Sequence, residues 1–325
     1  MKPFTITKPD SEKTAFANHI GETKFISGGT NLVDLMKKDI AQPDFLVDVS
    51  VALSNEIRKS SRYLKIGAMA SNTSVATNAE VQANHPLLEK AILAGASPQI
   101  RNMASTAGNL LQRTRCPYFY DITTPCNKRK PGSGCSALNG ENRMSAIIGY
   151  SEQCVAVHPS DFCVALAALD ATVNITESNL KESKISFKDF HKLPGTTPHL
   201  DTNLPDKALI TSVEIANNNF QKHHAYVKIR DRDSYAFALV SVAAALEIKD
   251  SKIVEARLAS GGVAHKPWRW YEAEKFLKGK ETSVANFQQA ALIALKEVKP
   301  LQHNIFKTTM LKGAIETALQ NCISI

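Results

Sequence analysis

The segment Lys24-Phe25-Ile26-Ser27-Gly28-Gly29-Thr30-Asn31-Leu32 is the most informative part of this 325-residue sequence. Residues 24–27 predict a short buried strand, and the apolar residues Leu32, Leu35 and Met36 predict one face of a following helix. Two glycines between these elements let the backbone approach a phosphate group, and the helix N-terminus offers unpaired N–H groups. A plain tight turn is the alternative. The segment is not a Rossmann fingerprint, because the third glycine is absent, nor a P-loop, because no Gly-Lys-Ser/Thr follows.

A second turn of small hydrogen-bonding residues, Ser105-Thr106-Ala107-Gly108-Asn109, lies about 75 residues downstream. It ends a unit that repeats the strand-and-helix pattern of the first. Two such turns are expected to converge on one diphosphate from two sides. A dinucleotide with a large flat ring, such as FAD, suits a cleft between two subdomains. A surface loop is the alternative interpretation of this turn.

The pattern divides the chain into three units of an α+β fold. Residues 1–55 form a β-α-β unit, and residues 56–220 form a second unit. Within that second unit, residues 113–154 lose periodicity and are rich in proline, glycine and cysteine. A structureless stretch of this length inside a compact domain is usually functional. Residues 221–325 form a separate C-terminal domain.

The C-terminal domain is predicted to contain a three-stranded sheet followed by helices. Its strands are expected at Ala225–Ile229, Ala236–Ile248 and Ile253–Ser260. The apolar run at 236–246 fits a buried helix equally well, because periodicity does not separate the two for a fully buried element. Cys154–Val157 is predicted to be a strand that closes the irregular insertion.

Four cysteines, Cys116, Cys126, Cys135 and Cys154, follow the spacing C-x9-C-x8-C-x18-C. A disulfide framework is disfavoured in a reducing compartment, and zinc ribbons usually carry C-x2-C pairs, which are absent. Four thiolates around an iron–sulfur cluster, a zinc ion and no metal at all remain open on spacing alone. Cys163, in an apolar helix, is an alternative fourth ligand, although a packed core residue is the simpler interpretation.

The composition is that of a soluble globular protein, with 43% hydrophobic and 22% charged residues. The formal net charge of +8 invites a nucleic-acid interpretation, but the lysines are scattered and no nucleic-acid module is recognisable. No apolar run is long enough to cross a membrane, and the N-terminus lacks a signal peptide. By its own signals the chain is therefore expected in the cytoplasm, without nucleic-acid binding or membrane insertion.

With these motifs in place, the sequence resembles the FAD-binding medium subunit of the xanthine dehydrogenase and aldehyde oxidoreductase family. The likeness covers nearly the whole chain. It is carried by the two turns at 25–32 and 105–109 and by the C-terminal motif Gly261-Gly262-Val263-Ala264-His265-Lys266-Pro267-Trp268-Arg269. The insertion narrows the resemblance, since stretches 109–121 and 235–243 are similar to the flavin subunit of bacterial periplasmic aldehyde oxidoreductases. A similar insertion occurs in 4-hydroxybenzoyl-CoA reductase, whose flavin subunit is the alternative resemblance.

The resemblance implies a two-subdomain FAD-binding fold of the PCMH type and a set of cofactor contacts. Asp161 matches an acid that hydrogen-bonds flavin hydroxyls, and Lys228 matches a lysine near the isoalloxazine. Four cysteines match the ligands of a 4Fe–4S cluster. The implied FAD contacts are Lys24, Phe25, Ile26, Ser27, Gly28, Gly29, Thr30, Asn31, Leu32, Ser105, Thr106, Gly108, Asn109, Asp161 and Lys228, and the implied cluster ligands are Cys116, Cys126, Cys135 and Cys154.

The resemblance also implies an electron-transfer role inside a heterotrimer. A large molybdenum-cofactor subunit oxidises an aldehyde, a small subunit with two 2Fe–2S clusters passes the electrons on, and this chain hands them from FAD to an external acceptor. No catalytic residue for aldehyde chemistry is expected here. Two questions remain open. The 4Fe–4S cluster is either an electron relay or a structural element, and a zinc-binding interaction module is the rival function for the whole chain. Export to the periplasm on a partner's signal is implied, with the cytoplasm as the alternative.

Overall fold

The computed structural model describes residues 1–324. The first unit is a small parallel sheet in which β3 lies between β1 and β2. Ser11 caps the first helix through the backbone N–H of Thr14, as Ser typically does at this position. The elements are β1 (Thr5–Thr7), α1 (Glu12–Ala17), β2 (Thr23–Ile26), α2 (Leu32–Lys37) and β3 (Phe45–Asp48).

The second unit is built on a five-stranded antiparallel sheet of order β4-β5-β8-β6-β7, with helices packed on one core. The strands are β4 (Ile57–Lys59), β5 (Tyr63–Gly67), β6 (Thr172–Thr176), β7 (Glu182–Ser186) and β8 (Leu209–Ala216). The helices are α3 (Asn72–Ala76), α4 (Ala79–Asn84), α5 (Pro86–Ala94), α6 (Pro98–Met103), α7 (Thr106–Leu110), α8 (Pro117–Tyr120), α9 (Ser136–Asn139), α10 (Asp161–Ala168) and α11 (Phe187–Phe190).

Two local predictions in this unit are wrong. Residues 105–109 are not a turn: Ser105 accepts from the N–H of Gly108 and caps the short helix α7. Cys154–Val157 is not a strand, since within residues 1–324 Cys154 makes only an isolated bridge with Ser151. The insertion is irregular apart from the single-turn helices α8 and α9.

The C-terminal domain contains a four-stranded antiparallel sheet of order β12-β11-β10-β9, rather than the three strands predicted. The extra edge strand has only two residues, too few for a periodic signal. In the ambiguous run at 236–246, residues 240–246 belong to a strand, whereas residues 236–239, predicted to begin it, lie outside any helix or strand. The elements are β9 (His224–Ile229), β10 (Val240–Lys249), β11 (Lys252–Gly261), β12 (Trp268–Arg269), α12 (Tyr271–Leu277), α13 (Val284–Leu295) and α14 (Phe306–Asn321).

The helices α12, α13 and α14 cover one face of this sheet and share an apolar core with it. The N-terminal end of α14 is tied to the insertion through two fully buried polar residues, Asn304 and Lys307. The Nζ of Lys307 donates to the carbonyls of Ser145 and Gly262, at 3.0 and 2.9 Å. Within residues 1–324 no helix has both the length and the apolar character needed to cross a membrane.

Candidate cofactor sites

A cleft of about 1260 Å³ opens where the three units meet. Residues 24–32, which we call the flavin loop, form one wall, and α7 with its cap forms another. All but one of the predicted FAD contacts line this cleft. Thr106 is the exception, because it is fully buried and its hydroxyl donates to the carbonyl of Ala70 at 3.0 Å. Its side chain therefore packs beneath the residues that line the cleft and does not face the cleft itself.

The flavin loop and α7 are joined directly. The hydroxyls of Ser27 and Ser105 lie 2.7 Å apart, and Ser105 also accepts from the N–H of Gly108 at 3.1 Å. Gly28 packs against the backbone of α6: a Cβ at this position would stand 1.8 Å from the carbonyl oxygen of Met103. Glycine at 28 is thus required by a backbone-to-backbone contact. The two small-residue segments converge on one space, as their spacing predicted.

Polar and cationic residues at the cleft fit an anionic ligand. Asn31 accepts the backbone N–H of Arg113 at its Oδ1, 2.9 Å away, which holds the flavin loop against residue 113. Its Nδ2 and the Oδ1 of Asn72 are shielded from solvent and have no hydrogen-bond partner among the described residues, so neither atom faces the open cleft. Arg101 and Arg115 are among the residues that line the cleft, and a guanidinium is suited to a phosphate group. The lining and the volume fit FAD.

Asp161 and Lys228 form a buried ion pair at the cleft wall. The Nζ of Lys228 lies 2.8 Å from the Oδ2 of Asp161 and also donates to the carbonyl of Ala94 at 3.0 Å. The hydroxyl of Tyr226 donates to the other carboxylate oxygen at 2.7 Å and is 3.0 Å from Ser241. Burial, together with the neighbouring carboxylate, raises the pKa of Tyr226 well above its usual value and keeps it a donor.

The four predicted cluster ligands line one small cavity of about 10 Å³, and we call this group the cysteine centre. Cys163 does not line that cavity. Burial raises the pKa of Cys116 to about 11 and that of Cys154 to about 12. Thiolates at these positions therefore require a bound cation, since metal binding is what displaces protons from such ligands.

Asn127 organises the cysteine centre through its amide. It is nearly fully buried, its Oδ1 accepts the N–H of Gly134, and its Nδ2 donates to the carbonyl of Gln153 at 3.1 Å. These neighbours directly precede Cys135 and Cys154, so the side chain that follows Cys126 fixes the backbone next to two other cysteines. No local pattern indicates this role, because an asparagine in an irregular loop is ordinary.

The sulfurs are spread wider than a single metal ion requires. Among the described residues, no three of these cysteines have sulfurs within 4.8 Å of one another. Four thiolates around one zinc ion would lie roughly 3.8 Å apart, given Zn–S bonds near 2.3 Å in a tetrahedron. A cluster in which each cysteine binds a different iron holds its ligands farther apart. The arrangement fits a multi-iron cluster better than zinc.

A third group of potential ligands belongs to the core. Ligand atoms of His158, Cys163 and His191 lie within 4.8 Å of one another, all buried. The N–H of Ser160 donates to His158 Nδ1 at 3.3 Å, and His191 Nε2 is 2.9 Å from the carbonyl of Leu110. His158 therefore carries its proton on Nε2, the atom that a metal would need. Burial lowers the pKa of both rings and keeps them neutral.

Two protein families together match nearly the whole chain. Residues 2–217 match the family described as the FAD binding domain in molybdopterin dehydrogenase, and residues 224–321 match the CO dehydrogenase flavoprotein C-terminal domain. The chain belongs to the FAD-binding subunits of the molybdenum hydroxylases. Its similarity to the aldehyde oxidoreductase FAD-binding subunit PaoB of Escherichia coli (strain K12) is 44% identity, over 98% of both chains. The resemblance and the fold predicted from sequence are confirmed.

More distant relatives share the same architecture. The glyceraldehyde dehydrogenase medium chain of Sulfolobus acidocaldarius is 27% identical over 281 residues, covering 86% of this chain and 82% of that one. Quinoline 2-oxidoreductase from Pseudomonas putida 86 superposes with a TM-score of 0.76 at 22% identity, over 98% of this chain and 96% of that one. FAD binding and membership of an oxidoreductase follow from the family.

Proposed function

We propose that this chain is the FAD- and 4Fe–4S-binding electron-transfer subunit of a molybdenum-dependent aldehyde oxidoreductase. The aldehyde assignment rests on the 44% identity, over 98% of both chains, to a subunit with that name. The observation that carries the electron-transfer role is the cleft itself, in which the flavin loop, α7 and the Asp161–Lys228 pair converge. No group suited to aldehyde chemistry is needed here, because the reaction occurs on a partner subunit.

FAD supplies two-electron redox chemistry when bound. The chain's own residues would bind and orient it: the flavin loop would provide backbone N–H groups, and arginines that line the cleft, such as Arg101, would offer cations to its phosphates. Lys228 is not an uncompensated cation, because the carboxylate of Asp161 lies 2.8 Å away. Its first role is therefore to pair with Asp161 and to orient that carboxylate at the cleft wall. A lysine that directly stabilises a negative ring, as expected from sequence, is secondary to this pairing.

The proposed 4Fe–4S cluster is supported by the convergence of Cys116, Cys126, Cys135 and Cys154 and by the spread of their sulfurs. Zinc is the rival occupant. Visible absorption separates the two, since an iron–sulfur cluster adds a broad absorption to that of the flavin and a zinc ion adds none. A purified full-length chain that contains zinc at the expense of iron would reject the cluster while leaving the FAD assignment intact.

Replacing Cys126 with Ser separates a relay from a structural element. In the assembled enzyme, a relay predicts that aldehyde reduces the flavin at least tenfold more slowly when the cluster is lost. If flavin reduction proceeds at the original rate in folded enzyme, the cluster is structural. Cys163→Ser is the matched control, because that thiol is fully buried in the core and does not line the cysteine centre.

The proposed partners are a large molybdenum-cofactor subunit and a small subunit with two 2Fe–2S clusters, with an external electron acceptor. Support comes from relatives that are named as medium chains or FAD-binding subunits. We further propose that the complex is exported folded to the periplasm on a partner's signal. Affinity purification of the full chain from fractionated cells tests both proposals. Recovery of the chain alone, or of a complex confined to the cytoplasm, would reject the corresponding one.

A further inference from the structure

A polar bridge centred on Asp201 connects the cysteine centre to the flavin cleft. One carboxylate oxygen accepts the Nε of Arg113 at 2.7 Å, and the other is paired with the ammonium of Lys128. The two cations hold the pKa of Asp201 well below its usual range, so the carboxylate is charged. Asp201 lies 88 and 73 residues away from these partners in sequence. Among the ion pairs of residues 1–324, Asp201 is the only acid that pairs with both Arg113 and Lys128.

The first arm of the bridge ends at the flavin loop. Arg113 uses its backbone N–H to hold the Oδ1 of Asn31, 2.9 Å away, and Asn31 belongs to the flavin loop that lines the cleft. The guanidinium is fixed on its other sides as well: it lies 4.8 Å over the ring of Phe119 and donates to the carbonyl of His199 at 3.4 Å. Arg113 is therefore anchored at both ends.

The second arm ends in the cysteine centre. The side chain of Lys128 is 1% exposed, and its Nζ donates to the carbonyl of Pro198 at 2.9 Å besides pairing with Asp201. Lys128 follows Cys126 by two residues and lies beside Asn127, which organises the loop. A buried ammonium without its carboxylate is strongly unfavourable, so the segment around Lys128 stays in contact with Asp201.

Apolar packing runs alongside the bridge. Leu35 of α2, Phe119 and Cys126 form one buried cluster, so the helix that follows the flavin loop rests on the cysteine centre. Phe119 is fully buried and is also the ring beneath Arg113. A shift of the cysteine centre is therefore passed to α2 and to the flavin loop by contact.

We propose that Asp201 is a positioning residue that ties the cysteine centre to the flavin loop, so that FAD affinity and cluster retention change together. The FAD half rests on the family, and the cluster half rests on the proposed function. Asp201 touches neither cofactor in this arrangement. It acts through Arg113 on Asn31 and through Lys128 on Cys126.

The test is Asp201→Asn in the full-length chain, with FAD affinity measured by titration of apoprotein and iron measured by chemical analysis. Asparagine keeps the shape but loses the charge that pairs two cations. We expect the Kd for FAD to rise about tenfold, equivalent to 1.4 kcal/mol, and iron to fall to less than half. Glu177→Gln is the matched control, because its partner Lys181 lies 4.0 Å away at the surface. Unchanged FAD affinity in Asp201→Asn overturns the proposal.

A double-mutant cycle with Asn31→Ala separates positioning from general destabilisation. If Asp201 acts through Asn31, the double variant binds FAD no more weakly than Asn31→Ala alone, because interacting residues are non-additive. Additive losses contradict the proposal. If Asp201→Asn does not fold, Arg113→Lys keeps the charge and must still weaken FAD binding at least threefold. Iron-free wild-type chain would reject the cluster half only, since the cycle on FAD remains valid.

Discussion

Substituting Gly28 by alanine should weaken FAD binding because the flavin loop rests on backbone at this point. The new Cβ would lie 1.8 Å from the carbonyl oxygen and 2.7 Å from the carbonyl carbon of Met103, whereas real Cβ contacts stay beyond 3.0 Å. The loop must therefore move away from α6 by more than 1 Å. Overpacking of this kind costs about 1–3 kcal/mol. Apoprotein relieves the strain by displacing the loop, so the cost falls on FAD binding, a loss of about 5- to 150-fold.

The assay is quenching of FAD fluorescence on titration of apoprotein, with thermal unfolding measured in parallel. Gly313→Ala is the matched control, because a Cβ there meets nothing within 4 Å and the residue lies inside α14. Replacing glycine by alanine in a helix stabilises by about 1 kcal/mol. The control should thus unfold at a higher temperature and bind FAD normally. A Gly28→Ala variant with a Kd within twofold of the wild-type value would refute the assignment of this loop.

Three further results are expected. The pKa of His85 is lowered by burial to about 4, so the unfolded chain binds its proton first. The unfolding free energy then falls by about 2 kcal/mol through this group between pH 7 and pH 5, and His85→Gln should flatten that slope in denaturant titrations; an unchanged slope argues against a buried neutral ring. Asn127→Ala should lose more than half of the bound iron by chemical analysis, whereas full retention would disprove its organising role. Asn304→Ala removes one donor from each of three carbonyls, of which only that of Ala146 is left without another protein donor, and should lower the unfolding free energy by about 1–3 kcal/mol; a loss below about 0.5 kcal/mol contradicts the role of Asn304 in tying α14 to the insertion.

Local sequence patterns predict an element when one of its faces is apolar and the other polar, or when turn or capping residues stand at its ends. The strands predicted at Ala225–Ile229 and Ile253–Ser260 lie within one residue of the observed bounds at each end. Strand β10 was ambiguous for a physical reason: residues 240–246 are all buried, so the alternation that identifies a half-exposed strand is missing. Its neighbours in the sheet settle the conformation, and pairing partners are not local information.

Residues of the candidate site were likewise predictable only where their signal is local in the sequence. The flavin loop was predicted from sequence because the chemistry of a glycine turn is local, and the structure places these residues at the cleft wall. Thr106 was assigned to the cleft because its direction depends on helix α7, which was interpreted as a turn. Asp201 carries no local signal at all, since its role arises only when Arg113 and Lys128 are brought to it. The cysteines gave spacing but not convergence, so the choice among metals stayed open.

Cofactor content of the purified full-length chain tests the central claim most directly. The chain should be purified without oxygen and analysed for FAD, iron, acid-labile sulfide and zinc. We predict one FAD and about four iron atoms with matching sulfide for each chain, as expected for one Cys₄-ligated cluster. A colourless chain that binds neither FAD nor iron when both are supplied would contradict the assignment of the cleft and of the cysteine centre together.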